Sequence, residues 1–243
     1  ALAAATVRFV EAKAEEAAAP FKVDAAARTL ETPHYLVAWN GQGNITRLFD
    51  RDNEREALPA GERANVLEVY EDKPIYYDNW DVDLFHMLKH EEAAADGAPE
   101  LIAEGALRVT LRFRYTYRHS TFEQDVIFHA GSRRIDFETR ADWHETHRLL
   151  KAAFPLDIRT TKATYDIQYG HVERPTHFNT SWDYARFEVV AHKWADMSEE
   201  GYGVSVLNNC KYGYSAHDNV LRITLLKSGK YPDTEADMGR HEF

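Results

Sequence analysis

Cysteine is nearly absent from this chain: Cys210 stands alone among 243 residues. No internal disulfide and no cysteine-based metal knuckle can form. A lone thiol fits a reducing compartment, so a cytoplasmic location is the expectation. Long apolar runs are missing too. Nothing approaches the roughly 20 residues of a membrane helix, and no basic-then-apolar leader opens the chain; a piece of a longer protein would lack its parent's leader in any case. Positive charge is in deficit, with 29 Lys and Arg against 40 Asp and Glu and a net charge of −11. Phosphate backbones need a basic surface, so a nucleic-acid partner is not expected. The plainest reading of the acidity is solubility.

Catalytic signatures are scarce as well. No G-x-S-x-G occurs, and Ser205 lies in an apolar strand pattern. His86 and His90 have helical i, i+4 spacing beside Glu91, but the order is not H-E-x-x-H. His144 and His147 fall on opposite faces of a strand, so neither pair argues for a metal. Cys210 would need a base to become a nucleophile; Lys211 and His217 are near it only in sequence. Gly201-Tyr202-Gly203 is a turn signal rather than a phosphate loop.

What is present is strand periodicity and aromatic mass. The 13 Tyr, 12 Phe and 5 Trp suit a sandwich, where flat side chains fill the space between sheets. Hydrophobic residues at 44% suffice for a core. Leu107–Arg118 alternates strictly: Val109, Leu111, Phe113, Tyr115 and Tyr117 on one face, Arg108, Arg112, Arg114 and Arg118 on the other. Asp136 and Glu138, on a strand nearby in sequence, are the expected partners of those arginines. His34–Trp39 and Ile45–Phe49 flank a turn-rich Asn40–Gly43. Phe122–His129 and Arg134–Trp143 continue an antiparallel meander, and Leu149–Ile158, Thr164–Ile167, Ala185–Ala191, Gly203–Leu207 and Val220–Leu226 add strands. Asp81–His90 is expected to hold one short helix or turn, and His90–Pro99 a surface loop. Residues 1–20 read as a leading strand at Val7–Val10 or a linker, and residues 21–243 as one domain. The fold class is therefore all-β: a large antiparallel β-sandwich with few short helices.

Two stretches carry more chemistry than a core needs. Tyr76–Asp83 packs three carboxylates, three aromatics and an amide into eight residues. A sugar has apolar C–H faces and a ring of hydroxyls, which aromatic platforms and carboxylate or amide acceptors match. The plainer alternative is a self-bonded turn with Trp80 plugging the core. Gly170–Asp183 holds His171, Glu173, Arg174, His177, Asn179, Trp182 and Asp183. Adjacent Glu173 and Arg174 suggest an ion pair in an irregular loop, which either contacts a ligand or ties the sheets together.

Four stretches in this order resemble the carboxy-terminal region of family 38 glycoside hydrolases, the α-mannosidases, above all their cytosolic and bacterial branch. They are Leu67–Asp83 (LEVYEDKPIYYDNWDVD), Phe154–Gly170 (FPLDIRTTKATYDIQYG), His171–Ala191 and Tyr202–Tyr214 (YGVSVLNNCKYGY); Leu225–Phe243, ending DMGRHEF, is similar too. The resemblance implies a galactose mutarotase-like supersandwich. It implies a parent enzyme that is a metal-dependent retaining glycosidase, using zinc, or cobalt, and two carboxylates roughly 5–5.5 Å apart. Those carboxylates and the metal ligands belong to an amino-terminal barrel that nothing here resembles. No catalytic residue, metal or cofactor is therefore expected in this chain, and the family's tail beyond Phe243 is expected to be cut off. The expected role is a non-catalytic domain hydrolysing nothing alone. It would support the catalytic barrel of the same polypeptide and wall the pocket for a mannose-containing oligosaccharide with Tyr77, Trp80, Asp81, His171, Glu173, Arg174, Asn179 and Tyr202. These residues are expected to cluster on one face. The rivals are a free-standing carbohydrate-binding module and a mutarotase-like sugar epimerase, for which His171 and Glu173 would have to face each other across a cleft. A homo-oligomer stays open.

Overall fold

The computed structural model describes residues 20–243; the strand or linker expected in residues 1–19 lies outside them. In chain order the strands begin with β1 (Lys22–Asp24), β2 (Thr29–Glu31), β3 (Tyr35–Trp39), β4 (Ile45–Asp50) and β5 (Arg55–Glu56). Next come β6 (Val66–Glu71), β7 (His90–Ala93), β8 (Glu100–Glu104), β9 (Arg108–Tyr117) and β10 (Ser120–His129). Then follow β11 (Ser132–Trp143), β12 (Arg148–Pro155), β13 (Lys162–Ile167), β14 (Gly170–Pro175) and β15 (Val189–Val190). The last are β16 (Trp194–Glu199), β17 (Tyr202–Leu207), β18 (Gly213–His217), β19 (Val220–Ser228) and β20 (Gly239–Glu242). A 3-10 helix at Leu84–Leu88 and the four-residue helix α1 (Ser181–Tyr184) complete the elements. The all-β class is as expected.

The strands form four antiparallel sheets. The first is a meander, β1 to β5. The second runs β20-β11-β10-β9-β8, the third β15-β18-β19-β12-β6-β7, and the fourth β14-β13-β16-β17. Alternation decides which face each strand buries. On β9, Val109, Leu111, Phe113 and Tyr115 are all buried, while Arg114 faces water and Arg112 is half-buried on the opposite side. In the third sheet Leu67, Val69, Leu150, Ala152, Leu221 and Ile223 turn to the common core. Aromatic pairs bridge the sheets: Trp39 with Phe113 at 6.5 Å, Phe137 with Phe154 at 5.7 Å, and Tyr165 with Tyr214 at 6.1 Å between ring centroids. The β3–β4 turn needs its glycine: Gly43 sits at φ +83°, and a Cβ there would lie 2.9 Å from the Tyr115 hydroxyl.

Several expectations are corrected. His90–Ala93 is not loop but β7, because its backbone completes the ladder along β6. Within Ala185–Ala191 only Val189–Val190 is strand. The loop before it holds α1, capped by a Thr180–Asp183 capping box, and residues 185–188 are the turn that leaves this helix. Gly170–Pro175, read as loop, is β14, paired in full with β13. The β9 arginines do not meet Asp136 and Glu138, since β10 lies between β9 and β11. Arg112 instead forms a two-pronged pair with Asp125 at 2.6 and 2.7 Å, and Arg114 meets Glu100 at 2.8 Å.

Candidate functional site

The segment Ile75–Asp83 builds an exposed aromatic cluster at the mouth of β6. Tyr77 lies 6.3 Å from Tyr76, 5.6 Å from Trp80 and 6.2 Å from Tyr231 between ring centroids. Trp80 is 68% exposed, so it does not plug the core. Ile75, Phe85 and Leu88 extend the same run of exposed apolar side chains. The loop is held from below. The Asp78 carboxylate accepts from the Lys230 and Tyr231 amides at 2.6 and 2.7 Å, and His147 Nε2 lies 3.2 Å away. Burial pushes this carboxyl up, but those two amides and His147 more than offset it and hold it below the usual range. Ile75 N–H donates to Asp83 at 2.7 Å, and Asn79 donates to the Asp233 carbonyl at 3.1 Å. Gly229 passes so close that a Cβ would lie 2.1 Å from Asn79 Oδ1 and 2.7 Å from the Asp78 carbonyl. Tyr77 takes φ +53° at the crest. Asp81 stands exposed beside the rings. Tyr76, Tyr77, His147 and Tyr231 line a shallow cavity of about 520 Å³.

The other expected residues lie elsewhere. His171 and Glu173 are two apart on β14, so they share one side of a strand rather than facing across a cleft. That is not the arrangement an epimerase requires. Glu173 does not pair with Arg174 but with Lys162, at 2.6 Å on the neighbouring strand. Arg174 lies over the Tyr165 ring at 4.8 Å, where burial lowers its ordinarily high pKa. Asn179 is exposed in the turn before α1, its amide 3.4 Å from His177 Nδ1. Tyr202 opens β17, at the edge of the fourth sheet opposite β14. Arg55 stacks on its ring at 4.1 Å and pairs with Glu199 at 2.9 Å. Burial, with the nearby Asp50 and Tyr35 charges, pushes the Tyr202 hydroxyl up to about 12. Tyr202 lines a larger cavity of about 740 Å³ that shares no lining residue with the Tyr77 cavity. Tyr77, Trp80 and Asp81 thus share one loop, His171, Glu173 and Arg174 lie on β14, Asn179 in the turn before α1, and Tyr202 on the larger cavity.

A polar network on the outer face of the third sheet was not foreseen. Glu68 of β6 and Lys151 of β12 are register partners, and Arg222 of β19 lies on the diagonal, two residues from Thr224, which pairs with Lys151. Arg222 Nε reaches Glu68 at 2.7 Å, and Tyr70 donates to Glu68 at 2.6 Å. Lys151, 1% exposed, bonds Glu188, and Ser215 lies 3.5 Å from the ammonium. His86 caps the group: Nδ1 lies 2.9 Å from the Asp83 carbonyl and Nε2 3.5 Å from Glu188. Burial would raise the Glu188 carboxyl, but Lys151 and His86 beside it hold it below the usual range. The available signal was a charge interrupting each of three apolar strands, in VLEVYE, RLLKAAFP and VLRITLLKS. With Lys151 and His86 both 1% exposed, the network is closed to a substrate and serves to lock the Leu84–Leu88 helix and the Phe187–Val190 segment onto the sheet.

Among the described residues no three His, Cys, Asp or Glu side chains are placed to hold a metal, so the metal implied by the resemblance finds no ligand set here. Ser205 donates to Asp196 at 2.7 Å, with no histidine in hydrogen-bond contact among the described residues, and Cys210 is exposed and free. No helix among the described residues is long and apolar enough to cross a membrane.

The profile of the family described as Glycosyl hydrolases family 38 C-terminal domain matches residues 30–235. Alpha-mannosidase 2C1 of Homo sapiens is 41% identical over 217 residues, covering 88% of this chain and 21% of that protein. Alpha-mannosidase G of Dictyostelium discoideum is 41% identical over 207 residues, covering 83% and 19%. The chain thus spans about a fifth of the length of these curated relatives. Among solved structures, an alpha-mannosidase from Enterococcus faecalis V583 superposes with a TM-score of 0.75 over 95% of this chain and 30% of that one. At 13% identity that likeness establishes the fold alone.

Proposed function

The chain belongs to the glycosyl hydrolase family 38 C-terminal domain family, and from that premise we propose that it is the non-catalytic β-domain of a larger α-mannosidase. The parent would hydrolyse terminal α-mannose residues in the cytoplasm, with zinc or cobalt held by a catalytic part of the same polypeptide. The domain would support that part and wall its sugar pocket. One observation carries the reading: Tyr76, Tyr77, Trp80 and Tyr231 form an exposed aromatic cluster beside Asp81, within the matched residues. A solvent-facing group of this size is unfavourable unless something covers it. Aromatic faces suit sugar C–H surfaces, and Asp81 is a ready acceptor for hydroxyls. Ile75, Phe85 and Leu88 alongside favour cover by protein as well.

Role by role, Tyr77 and Trp80 would stack or edge the sugar, and Asp81 would accept from its hydroxyls. Asp78, Asn79 and Gly229 would hold them in place. His171, Glu173, Arg174, Asn179 and Tyr202 are kept as secondary candidates at their separate positions. The test is hydrolysis of an aryl α-mannoside. The 243-residue chain, with zinc or cobalt added, should be inert. The longer polypeptide should turn over, and Trp80→Ala within it should lose about tenfold in kcat/KM, the scale of one aromatic contact. Turnover by the 243-residue chain would refute the reading.

The exposed cluster also favours a second reading, a carbohydrate-binding module. It predicts that the 243-residue chain binds a mannose oligosaccharide by titration calorimetry, with binding lost in Trp80→Ala.

A further inference from the structure

His147 lines the shallow cavity of about 520 Å³ with Tyr76, Tyr77 and Tyr231, yet it comes from the connection between β11 and β12. Its backbone is clamped. The His147 N–H donates to the Ser228 carbonyl at 2.6 Å, and its carbonyl accepts from the Asp72 N–H at 2.9 Å. Ser228 closes β19 and Asp72 follows β6, so His147 is tied to the two strands that carry the aromatic cluster. It takes φ +52°, and Tyr77 on the same cavity takes φ +53°. That left-handed region is uncommon for any residue but glycine, and more so for tyrosine. Glycine would adopt it freely. Two ring-bearing residues held this way on one cavity point to side chains that are needed where they stand.

The imidazole is oriented as well. Nε2 lies 3.2 Å from the Asp78 carboxylate, and the side chain keeps 34% exposure. Asp78 is fixed in turn, because it accepts from the Lys230 and Tyr231 amides at 2.6 and 2.7 Å. Nδ1 has no hydrogen-bond partner among the described residues, so it is the ring's spare polar atom. Lys73, the other cation on this cavity, is drawn off to Glu71 at 3.0 Å. A sugar laid on tyrosine faces presents hydroxyls around its rim, and these need partners at the edge of the platform. A hydroxyl both donates and accepts, so Nδ1 serves it in either protonation state of the ring.

We propose that His147 is a further sugar-contacting residue of this pocket wall, its Nδ1 bonding one hydroxyl of a mannoside that lies against Tyr77 and Tyr231. The proposal rests on the reading of this cavity as part of a mannosidase's sugar pocket. Asp78 is then a positioning residue. Its one carboxylate holds both the turn that carries Tyr231 and the ring that meets the hydroxyl. The contact adds a selectivity that aromatic faces lack. A stacking face accepts many sugars, whereas a placed polar atom penalises the analogue whose hydroxyl is missing.

Competition experiments in the longer enzyme test this. The competitors are an α-linked mannobioside and its analogues lacking one hydroxyl each, set against turnover of an aryl α-mannoside. In wild type at least one analogue should bind about tenfold more weakly than the parent, the scale of one lost hydrogen bond. Asparagine tolerates the left-handed backbone but is too short to reach, so in His147→Asn the penalty for one such analogue should fall to about twofold or less. His147→Gln is the second variant if the first fails to fold. No penalised analogue in wild type, an unchanged ranking in a folded variant, or one common loss for all competitors would each overturn the proposal. Loss of the fold in both variants would make His147 structural and overturn it too. Absence of turnover by the wild-type longer enzyme on any α-mannoside defeats the functional reading and the contact with it; turnover with an unchanged ranking defeats the contact alone.

Discussion

Replacing Glu188 by Gln should unbalance the buried network while keeping its shape. Glu188 is the anion between Lys151 and His86. Its side chain is 16% exposed and that of Lys151 only 2%. Removing one partner of a buried pair costs about 3–5 kcal/mol, because the remaining charge has no counter-ion. The residual exposure of Glu188 and the nearby Glu68 place the expectation at the lower end, about 3 kcal/mol. Adding Lys151→Met should recover more than half of that, a coupling that only a direct pair produces. The pH dependence has a definite sign. The Glu188 carboxyl lies below its ordinary value in the folded state. Its contribution is then full above the unfolded carboxylate pKa of about 4.3 and is lost as pH falls through the lower folded value. Urea titrations at pH 7 and at about pH 3.5 measure both. The gap between wild type and Glu188→Gln should be wide at pH 7 and narrower in acid. A gap under about 1 kcal/mol at pH 7, or one that widens on acidification, would refute the argument.

Other expectations follow from single contacts. Gly229→Ala drives a Cβ against Asn79 Oδ1 and the Asp78 carbonyl, so it should cost about 1–3 kcal/mol and shift Trp80 fluorescence before the global transition. Arg112→Ala leaves Asp125, which is 5% exposed, with only Arg140 at 3.6 Å, and should cost about 1–3 kcal/mol in a thermal melt. Arg114→Ala, on the same face but half exposed, should cost under about 1 kcal/mol; equal losses at the two sites would contradict the burial argument. Treatment with a chelator should leave the β-rich circular dichroism spectrum unchanged, and loss of that signal would point to a metal held by this chain.

Legibility in the sequence tracked the range of the interaction. β9 and β10 were readable because alternation is local, each buried residue being two positions from the next. β7 was missed because His-Glu-Glu-Ala has no strand pattern of its own; it is a strand only because β6 offers it an edge. The pairing of Arg112 with Asp125 rather than Asp136 is a matter of which hairpin forms, and periodicity is silent on that. At the candidate site, Tyr77, Trp80 and Asp81 were legible as a dense local motif. Tyr231 and His147 complete it from 150 and 70 residues downstream, and no spacing rule joins them. Lys151 was hidden for the opposite reason. A lysine inside RLLKAAFP reads as a break in an apolar strand until Glu188 is seen over it.

The aromatic cluster is exposed but not loosely held, and that bears on what it can do. Flexible segments carrying four exposed rings would have to be ordered at the moment of binding, at roughly 0.5–1.5 kcal/mol for each immobilised side chain. Here the ordering is done beforehand. Asp78 takes two amides from the turn after β19, and Asn79 reaches Asp233 in the same turn. Gly229 allows the two segments to close to contact. Beneath them, Lys227 pairs with the buried Asp72 at the end of β6. The rings therefore stand on the ends of two strands of one sheet, β6 and β19. That same sheet carries Lys151, which Glu188 and His86 cover, and His86 belongs to the short helix that follows the aromatic loop. The closed network thus fixes the loop from its far side, while Asp78 fixes it from the near side. Weakening either anchor should reduce sugar or partner binding at the rings without touching them, and Glu188→Gln separates this from a direct contact. In the longer enzyme it should raise KM for the mannoside more at temperatures near its own unfolding than well below. A loss in kcat/KM that is constant across temperature would instead place Glu188 in the reaction itself.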